Sequence, residues 1–547
     1  MRVVRVSVGV LLGLVGLLLA IGGGVAAFFV IGPDNTVTSG EQHLVSKGLA
    51  FASPPEMLDR HGPILHVQAR TSSGKPVFVG VGRDFDVASY LKETAHTSLV
   101  QVTYPIALVT QEVEGAAGVP KPLAAPDGLD WWVVKSAGAG SQAIRWPIAD
   151  GPYDVVVMSA DGKTPPDVQV RLGIEVPHAF VVALGILAAG LLILALGILL
   201  IVLRRRPATP APVVQVTPPA PSAPPSPWGG TAQRVVAGTV VLGLLTGCSA
   251  VPQPDTVTTL TRPAISNEAA LAVVKRYNEV STAAGRARNS VQIGQVESGD
   301  LLRQTRAGYI IGREFKLAIP KPLTYDKPTF AVPEYGGYPM RFVATAGPNV
   351  GLWQRETAGS PWLQTYGTTL VKSAKLPDLK GLRPATAADA KNLKVAPQAA
   401  VEALTKYLTA EGKSPHGASF AVLPQFAEGF KTLARWRQEY HKGAAGSVRS
   451  LGRSYSLASP PTAFVTSTGE AVVLATINNQ YDLVVGPNRY FYWDGGAETA
   501  FSPKEAHYES TLTSTRLHDV VLVVPRKGND KIKILAFGSQ LVSAGGY

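Results

Sequence analysis

The sequence predicts a membrane-anchored multidomain chain, with an all-β sandwich ectodomain between two transmembrane helices and then a tandem pair of α+β domains. Three observations predict it. Uncharged apolar runs lie at 6–32 and 179–203, short β-branched runs fill the interval between them, and the second half repeats a helix-then-strand pattern. The 547 residues suffice for roughly three domains of about 150 residues each. A chain that is 46% apolar and only 16% charged leans toward membrane association. Its richness in Ala, Gly, Val and Pro is that of a high-GC bacterium.

The first run (within segment 1–32) is 27 residues long, about 40 Å as a helix, ample for a ~30 Å hydrocarbon layer. The second (within segment 178–206) has 25 residues and is closed by Arg204, Arg205 and Arg206. Small residues at four-residue spacing, Gly16, Ala20 and Gly24 in one and Gly185 and Ala189 in the other, would let the two helices touch. Basic residues stay on the cytoplasmic side. Arg2 and Arg5 before the first run and the three arginines after the second therefore place 33–177 outside and 204–234 inside.

A third apolar run, 235–247, has only 13 residues, follows Arg234 and leads to Cys248, the single cysteine of the chain. Two readings stay open for segment 234–248. In one, Arg234, the short run and Leu245, Thr246, Gly247 and Cys248 follow the order of a bacterial lipoprotein signal. There the thiol receives a diacylglycerol, and small residues before it admit the peptidase. The chain would then resemble a two-helix membrane protein (1–233) joined to a lipoprotein (234–547). In the other, 235–251 is a third spanning helix of about 25 Å. Both readings put 249–547 outside. A single cysteine excludes an intramolecular disulfide and a cysteine-rich zinc site.

Residues 33–177 read as the sandwich. "ILHVQAR", "PVFVGVG", "SLVQVTYPIALV", "DWWVVKS", "SQAIRWPI", "YDVVVMSA" and "VQVRLGIEV" are strand-like runs split by turn signals such as Ser73-Gly74 and Asp161-Gly162. "DVASYLKETAH" (86–96) predicts the one helix, with Asp86 as its N-cap. "GVGRDFD" (80–86) holds Gly-x-Gly and two aspartates, short of a dinucleotide loop and poor as a metal site. "VFVGVGRDFDVASYL" together with "WWVVKSAGAGSQAIRWPIADGPYDVVVMSADG" resembles a recurrent pattern in actinobacterial membrane proteins of unknown function. The resemblance implies a surface domain between two spanning helices and supplies no catalytic residue.

Segment 207–233 carries nine prolines and no charge before Arg234's neighbourhood, so it predicts an extended cytoplasmic linker. A second linker, 249–264, leads to domains at 265–385 and 386–547. These read as a duplication: "EAALAVVKRYNEV" (268–280) parallels "QAAVEALTKYLTA" (398–410), and "YGTTLV" (366–371) parallels "FGSQLV" (537–542). Helices first and a curved antiparallel sheet after them, with "MRFVATAGPNVGLWQRETAGSPWLQTYGTTLV" as closing hairpin, resemble the cone-fold superfamily of nuclear transport factor two and ketosteroid isomerase. The resemblance implies an interior in which an Asp, His or Tyr works in its enzymes. "LTSTRLHDVVLVVPRKGNDKIKILAFGSQLVS" is similar to actinobacterial lipoprotein domains of unknown function.

No motif here assigns a catalytic residue, a cofactor or a metal. Tyr277 and Tyr407 occupy equivalent helical positions whose neighbours suit core packing. His441 and His518 are candidate bases only because imidazole titrates near neutrality, and with no evident partner they read as surface histidines. "RYFYWD" (489–494) predicts a strand with aromatics on both faces, so that Tyr490, Tyr492 and Trp493 form either a ligand platform or core filling. Charge is more informative. Residues 249–547 carry 34 Lys+Arg against 23 Asp+Glu, whereas 33–177 carry 11 against 16. The basic half, with Arg435, Arg437, Lys442, Lys531 and Lys533, could face anionic lipid or acidic wall polymer, or dock on the acidic sandwich. Nucleic acid is not expected outside the cell.

The expectation is therefore a non-enzymatic binding or scaffolding protein on the outer face of the bacterial cytoplasmic membrane. The alternative is a small-molecule sensor, or an isomerase- or dehydratase-type enzyme, using the cavity of a cone domain.

Overall fold

In the computed structural model the described residues are 2–58, 63–71, 73–103, 107–115, 121–202, 260–319, 321–443, 447–503 and 505–547. The fold is mixed α/β with several sheets and two helices, within Val4–Ile31 and Ala179–Val202, long and apolar enough to cross a membrane. Cys248, Leu245, Thr246, Gly247, Arg204, Arg205, Arg206 and Arg234 lie outside the described residues, as do the proline-rich linker and the third apolar run.

The two apolar helices, Arg2–Val25 (continued by a π turn, Ala26–Ile31) and Ala179–Val202, pack along their length. The contact follows a heptad of small residues. Gly9, Gly16 and Gly23 of the first helix are buried against Ala183, Gly190 and Gly197 of the second, with Ala20 and Ala27 filling the alternate turns. A Cβ at Gly16 would sit 2.4 Å from the Leu194 nitrogen, and one at Gly190 would sit 2.4 Å from the Ala20 nitrogen. Backbones this close accept no side chain. Of the expected contact residues, Gly16 and Ala20 take part. Gly24 meets only the tip of Leu187 and Gly185 meets nothing within 4 Å. The true stripe runs at sevens, the period of a left-handed pair, rather than at fours.

Between these helices the chain builds two facing sheets. One has five strands, with Asp167–Glu175 paired to Thr36–Thr38, Gln42–Val45 and Ile64–Thr71, and Gln142–Pro147 at its edge. The other has six, with Tyr153–Ser159 flanked by Val77–Arg83 and Ala50–Ala52. Leu65, Val67, Ile144, Trp146, Val168 and Val170 of the first meet Val79, Val81, Val155 and Val157 of the second in one core. Alternation then points Phe78, Val156 and Met158 to the opposite face, where Trp131, Trp132 and the helix Asp84–Leu91 cover them. The six-stranded sheet is thus buried on both faces, which is why Tyr153–Ser159 reads as a continuous apolar run.

Local detail departs from expectation in three places. "SLVQVTYPIALV" divides into two strands, His96–Thr103 and Ala107–Val113. Trp131 and Trp132 precede their strand, Val134–Gly138, and lie across the sheet. The helix is Asp84–Leu91 and its N-cap is Arg83, so Asp86 is not a cap but a fully buried side chain in the first turn.

The C-terminal half has helices outside and sheets inside. Helices Asn267–Ala287 and Gly299–Glu314 pack on a meander of Met340–Ala346, Asn349–Arg355 and Leu363–Thr369, with Thr329–Ala331 at its edge. Helices Pro397–Thr409 and Pro424–Gly443 pack on an eight-stranded sheet centred on Ala471–Val485 and Thr511–Val524. The remaining faces of the two sheets share a core, in which Val343, Val350, Leu352 and Tyr366 meet Val472, Leu474, Val521 and Val523. Residues 260–264, expected as linker, are already part of this body: Arg262–Pro263 pairs with Glu334–Tyr335, and Ala264 and Ile265 are buried. The two stretches paired in the suspected duplication are helical, in Asn267–Ala287 and Pro397–Thr409. The two closing motifs are placed differently: "YGTTLV" covers the last four residues of strand Leu363–Thr369 and the two beyond it, whereas "FGSQLV" straddles the break between Ile532–Phe537 and Gln540–Gly546.

Candidate functional site

Gly80 and Gly82, the Gly-x-Gly of "GVGRDFD", make room for rings rather than phosphate. A Cβ at Gly80 would lie 2.9 Å from the Trp132 ring, and one at Gly82 would lie 2.7 Å from the Trp131 ring. The strand therefore lets two indoles pack closely against it, and the chain turns into helix Asp84–Leu91 beside them. This helix and the Trp131 edge form a groove filled by the C-terminal half.

At its centre is Arg262. Its Nε donates to both Asp86 carboxylate oxygens (2.9 and 3.2 Å), and its Nη2 donates to Asp86 Oδ1 (2.8 Å) and to the Tyr338 hydroxyl (2.9 Å). Its Nη1 donates to the carbonyls of Pro263 and Ala264, both at 3.0 Å. Tyr338 in turn donates to Asp86 Oδ1 at 2.8 Å. Every N–H direction of the guanidinium is used, the condition under which a buried ion pair can be favourable. The carboxylate beside it holds Arg262 above the ordinary arginine range despite burial, while burial raises the Tyr338 hydroxyl.

Around this centre Phe85 packs into the aromatic core of the C-terminal half, and Arg355 Nη1 donates to Asp130 Oδ1 at 2.6 Å while lying over the Trp362 ring. The turn at Ala358 plugs the groove: Trp131 Nε1 donates to the Ala358 carbonyl (3.1 Å), and the Ala358 amide donates to Ser89 Oγ (3.1 Å). Leu260 packs against Gly151 at the sandwich edge. Two ion pairs cross the seam, Arg262–Asp86 buried and Arg355–Asp130 partly so.

The aromatic stretch "RYFYWD" is not a strand. Phe491 makes only an isolated bridge to Tyr508, because Pro487 and the Gly495-Gly496 pair interrupt the backbone on either side. The alternation survives without the strand. Phe491 and Trp493 turn into a small cluster, with Trp493 Nε1 donating to the Gly545 carbonyl at 3.1 Å, while Tyr490 and Tyr492 are about half exposed and pack on His507.

His518 is not a surface histidine. It is buried, stacked on Phe537, with Nδ1 donating to the Gly538 carbonyl (3.0 Å) and Nε2 accepting from Asn479 Nδ2 (3.1 Å). Burial lowers it to about 4. The side chain of His441, in helix Pro424–Gly443, lies outside the described residues, as does that of Lys442. Of the basic residues, Arg435 is exposed, Arg437 pairs with Glu411 at 2.6 Å, and Lys531 and Lys533 border a shallow cavity with Asp530 and Glu470.

Tyr407 packs edge-on to Phe430. Its counterpart Tyr277 is buried and donates to Glu297 Oε1 at 3.0 Å, and burial pushes Glu297 up to about 7. Tyr325, Trp353, Phe342 and Trp362 crowd the same interior. Asp519, passed over in the sequence, is buried between the two sheets, accepts from Gln304 and Thr476 (both 3.0 Å) and is raised by burial to about 6. Among the described residues no three His, Cys, Asp or Glu side chains converge as a metal site.

Residues 261–546 match the model of a protein family described as a domain of unknown function, DUF8094, which covers just over half of the chain. The chain belongs to this family. The DUF8094 domain begins one residue before Arg262, so the family's own segment brings the arginine and the sandwich supplies Asp86. No curated protein and no solved structure matches the chain.

Proposed function

We propose that this protein is a non-enzymatic binding or scaffolding module of the bacterial cell envelope. In this reading the helix pair anchors the sandwich at the outer face of the cytoplasmic membrane, and the DUF8094 domain is docked on the sandwich to form one composite surface. The observation that carries the reading is the Asp86–Arg262–Tyr338 constellation, a charge pair whose partners come from the two halves and whose exposure is 0% and 8%. The opposite net charges of the halves favour the same encounter.

The seam also constrains topology. The sandwich hangs from the adjoining ends of both helices, where Phe28 and Phe180 touch. Helix Ala179–Val202 therefore leads the chain to the far side of the bilayer, and a DUF8094 domain docked on the sandwich requires a return between 203 and 259. The run 235–247 ending at Cys248 supplies it, as a lipoprotein-type signal or as a short third helix. The lipid bilayer is then the first partner. Anionic lipid or acidic wall polymer suits the basic half, and the cone-type likeness of the two C-terminal units remains part of the proposal. The rival enzyme or sensor reading draws on the Tyr277–Glu297 pair, but aromatic rings occupy the interior a substrate would need.

The test is to introduce a protease site within the 207–229 linker of the full-length protein, cut it in detergent, and capture the N-terminal fragment by a tag. The halves should remain together at both low and high salt, and Arg262→Ala should release the C-terminal fragment. Separation of the wild-type halves at both salt concentrations would refute the reading.

A further inference from the structure

The other face of helix Asp84–Leu91 lines a half-open pocket of about 320 Å³ in the sandwich module, against strands Ala50–Ala52, His96–Thr103 and Tyr153–Ser159. Its volume lies at the lower end of the range of small-ligand sites. Two carboxylates, Asp84 from the helix and Asp154 from the strand, meet in it and share a hydrogen bond. Asp154 is 4% exposed, and its Oδ1 has no hydrogen-bond partner. Thr94, fully buried on the same wall, has a hydroxyl without a partner as well. Two orphaned polar atoms lining one cavity are a costly arrangement unless something occupies it.

The charges around the pair are one-sided. Glu56 and Glu114 add negative charge, and burial holds His96 in its neutral form. Lys92, the one lining cation, is exposed, and no ion pair joins it to Asp84 or Asp154 among the described residues. Ser53 and Ser98 add hydroxyls, and the rest of the lining is apolar, notably Val87, Leu91 and Val113. A hard divalent cation wants six or more oxygens, more than two converging carboxylates offer.

We infer that this cavity binds a small alkylammonium group, with Asp154 and Asp84 receiving the ammonium, Thr94 accepting a further N–H, and the alkyl chain lying on Val87 and Leu91. Burial and Asp84 push Asp154 up to about 8, so the empty pair keeps a proton at neutral pH. An entering cation displaces that proton, and binding tightens as pH rises.

Calorimetry on the full-length protein in nanodiscs, with 1,4-diaminobutane as probe and 1,4-butanediol as its uncharged match, tests this. Expected are saturable binding of the diamine alone, proton release at pH 7, and affinity rising severalfold from pH 6 to pH 8. Asp154→Asn and, independently, Thr94→Val should each weaken binding, the former at least tenfold, while Asp127→Asn at the exposed surface leaves it unchanged. No saturable binding overturns the inference. So does equal binding of the diol, binding of calcium alone with the same dependence on Asp154, or diamine binding indifferent to both substitutions.

Discussion

Asp86 and Arg262 lie 176 positions apart in sequence and become one unit only in the folded chain. Removing one partner strands a buried charge, so Arg262→Ala should cost about 3–5 kcal/mol. Arg262→Lys should recover little, because an ammonium cannot fork onto both carboxylate oxygens. Chemical denaturation of the detergent-solubilised chain, with Arg435→Ala as exposed control, measures both. A second residue-scale prediction concerns pH. Burial raises Glu297 to about 7 from an ordinary 4.5, so the folded state holds this proton where the unfolded chain has lost it. The associated stability is full below about 4.5 and drains as pH rises through 7. Glu297→Gln should therefore gain on wild type by about 3 kcal/mol between pH 4.5 and 8. His518 runs the other way: its folded value near 4 is below the ordinary 6.5, so its contribution is present above 6.5 and lost as pH falls toward 4. Melting curves of Glu297→Gln and His518→Asn across pH 4–8 should bend in opposite directions. None of these partnerships was legible in the sequence. Asp86 carries the local signature of a helix cap, His518 that of any polar residue in a strand, and what distinguishes them is contributed by residues far along the chain.

Elements were more legible, because hydrophobic periodicity records which face is covered. The strands near 64–71, 77–83, 142–147, 153–159 and 167–175 fall within a residue or two of the runs that predicted them. Misreadings occurred where a side chain's cover came from outside its own element. The two tryptophans look like strand residues because they are apolar and adjacent, yet they lie across a sheet thinned by Gly80 and Gly82. "RYFYWD" has the alternation of a strand but no continuous partner edge. Beyond Ser7 in the first apolar helix, and throughout the second, every residue is apolar, so the face must be read from size. Gly9, Gly16 and Gly23 at sevens mark it, a signal present in the sequence but obscured by the other glycines. Gly16→Leu should separate the pair, since even a Cβ there would lie 2.4 Å from the Leu194 nitrogen, whereas Gly22→Leu, with nothing within 4 Å, should not. Disulfide trapping between cysteines placed near the Arg5 end of the first helix and the Val202 end of the second reads the difference: formation should fall severalfold for Gly16→Leu and stay at the wild-type level for Gly22→Leu.

At the scale of the whole molecule, the seam and the bilayer bear on each other. In the proposed topology helix Arg2–Val25 enters and helix Ala179–Val202 leaves the membrane, so a sandwich outside the cell puts residue 203 inside. If the DUF8094 domain stayed inside, Asp86 would be left in the sandwich without Arg262, Trp131 without the Ala358 carbonyl, and the helix face at Phe85 exposed to solvent. That is an expensive set of losses for contacts this well satisfied. In the proposed topology the 235–247 run returns the chain, and this is measurable. Protease added to intact spheroplasts should digest both halves. Replacing three residues of 235–247 by lysine should hold the DUF8094 domain inside, protected until lysis, and should at the same time lower the melting temperature of the sandwich. Cys248→Ser separates the two modes of return. If the run is a lipoprotein-type signal, the substitution should leave an uncut full-length chain lacking lipid label; if it is a short third helix, the chain should be unchanged in length and protease sensitivity. Protection of the DUF8094 domain in wild-type spheroplasts would mean that the two halves never meet.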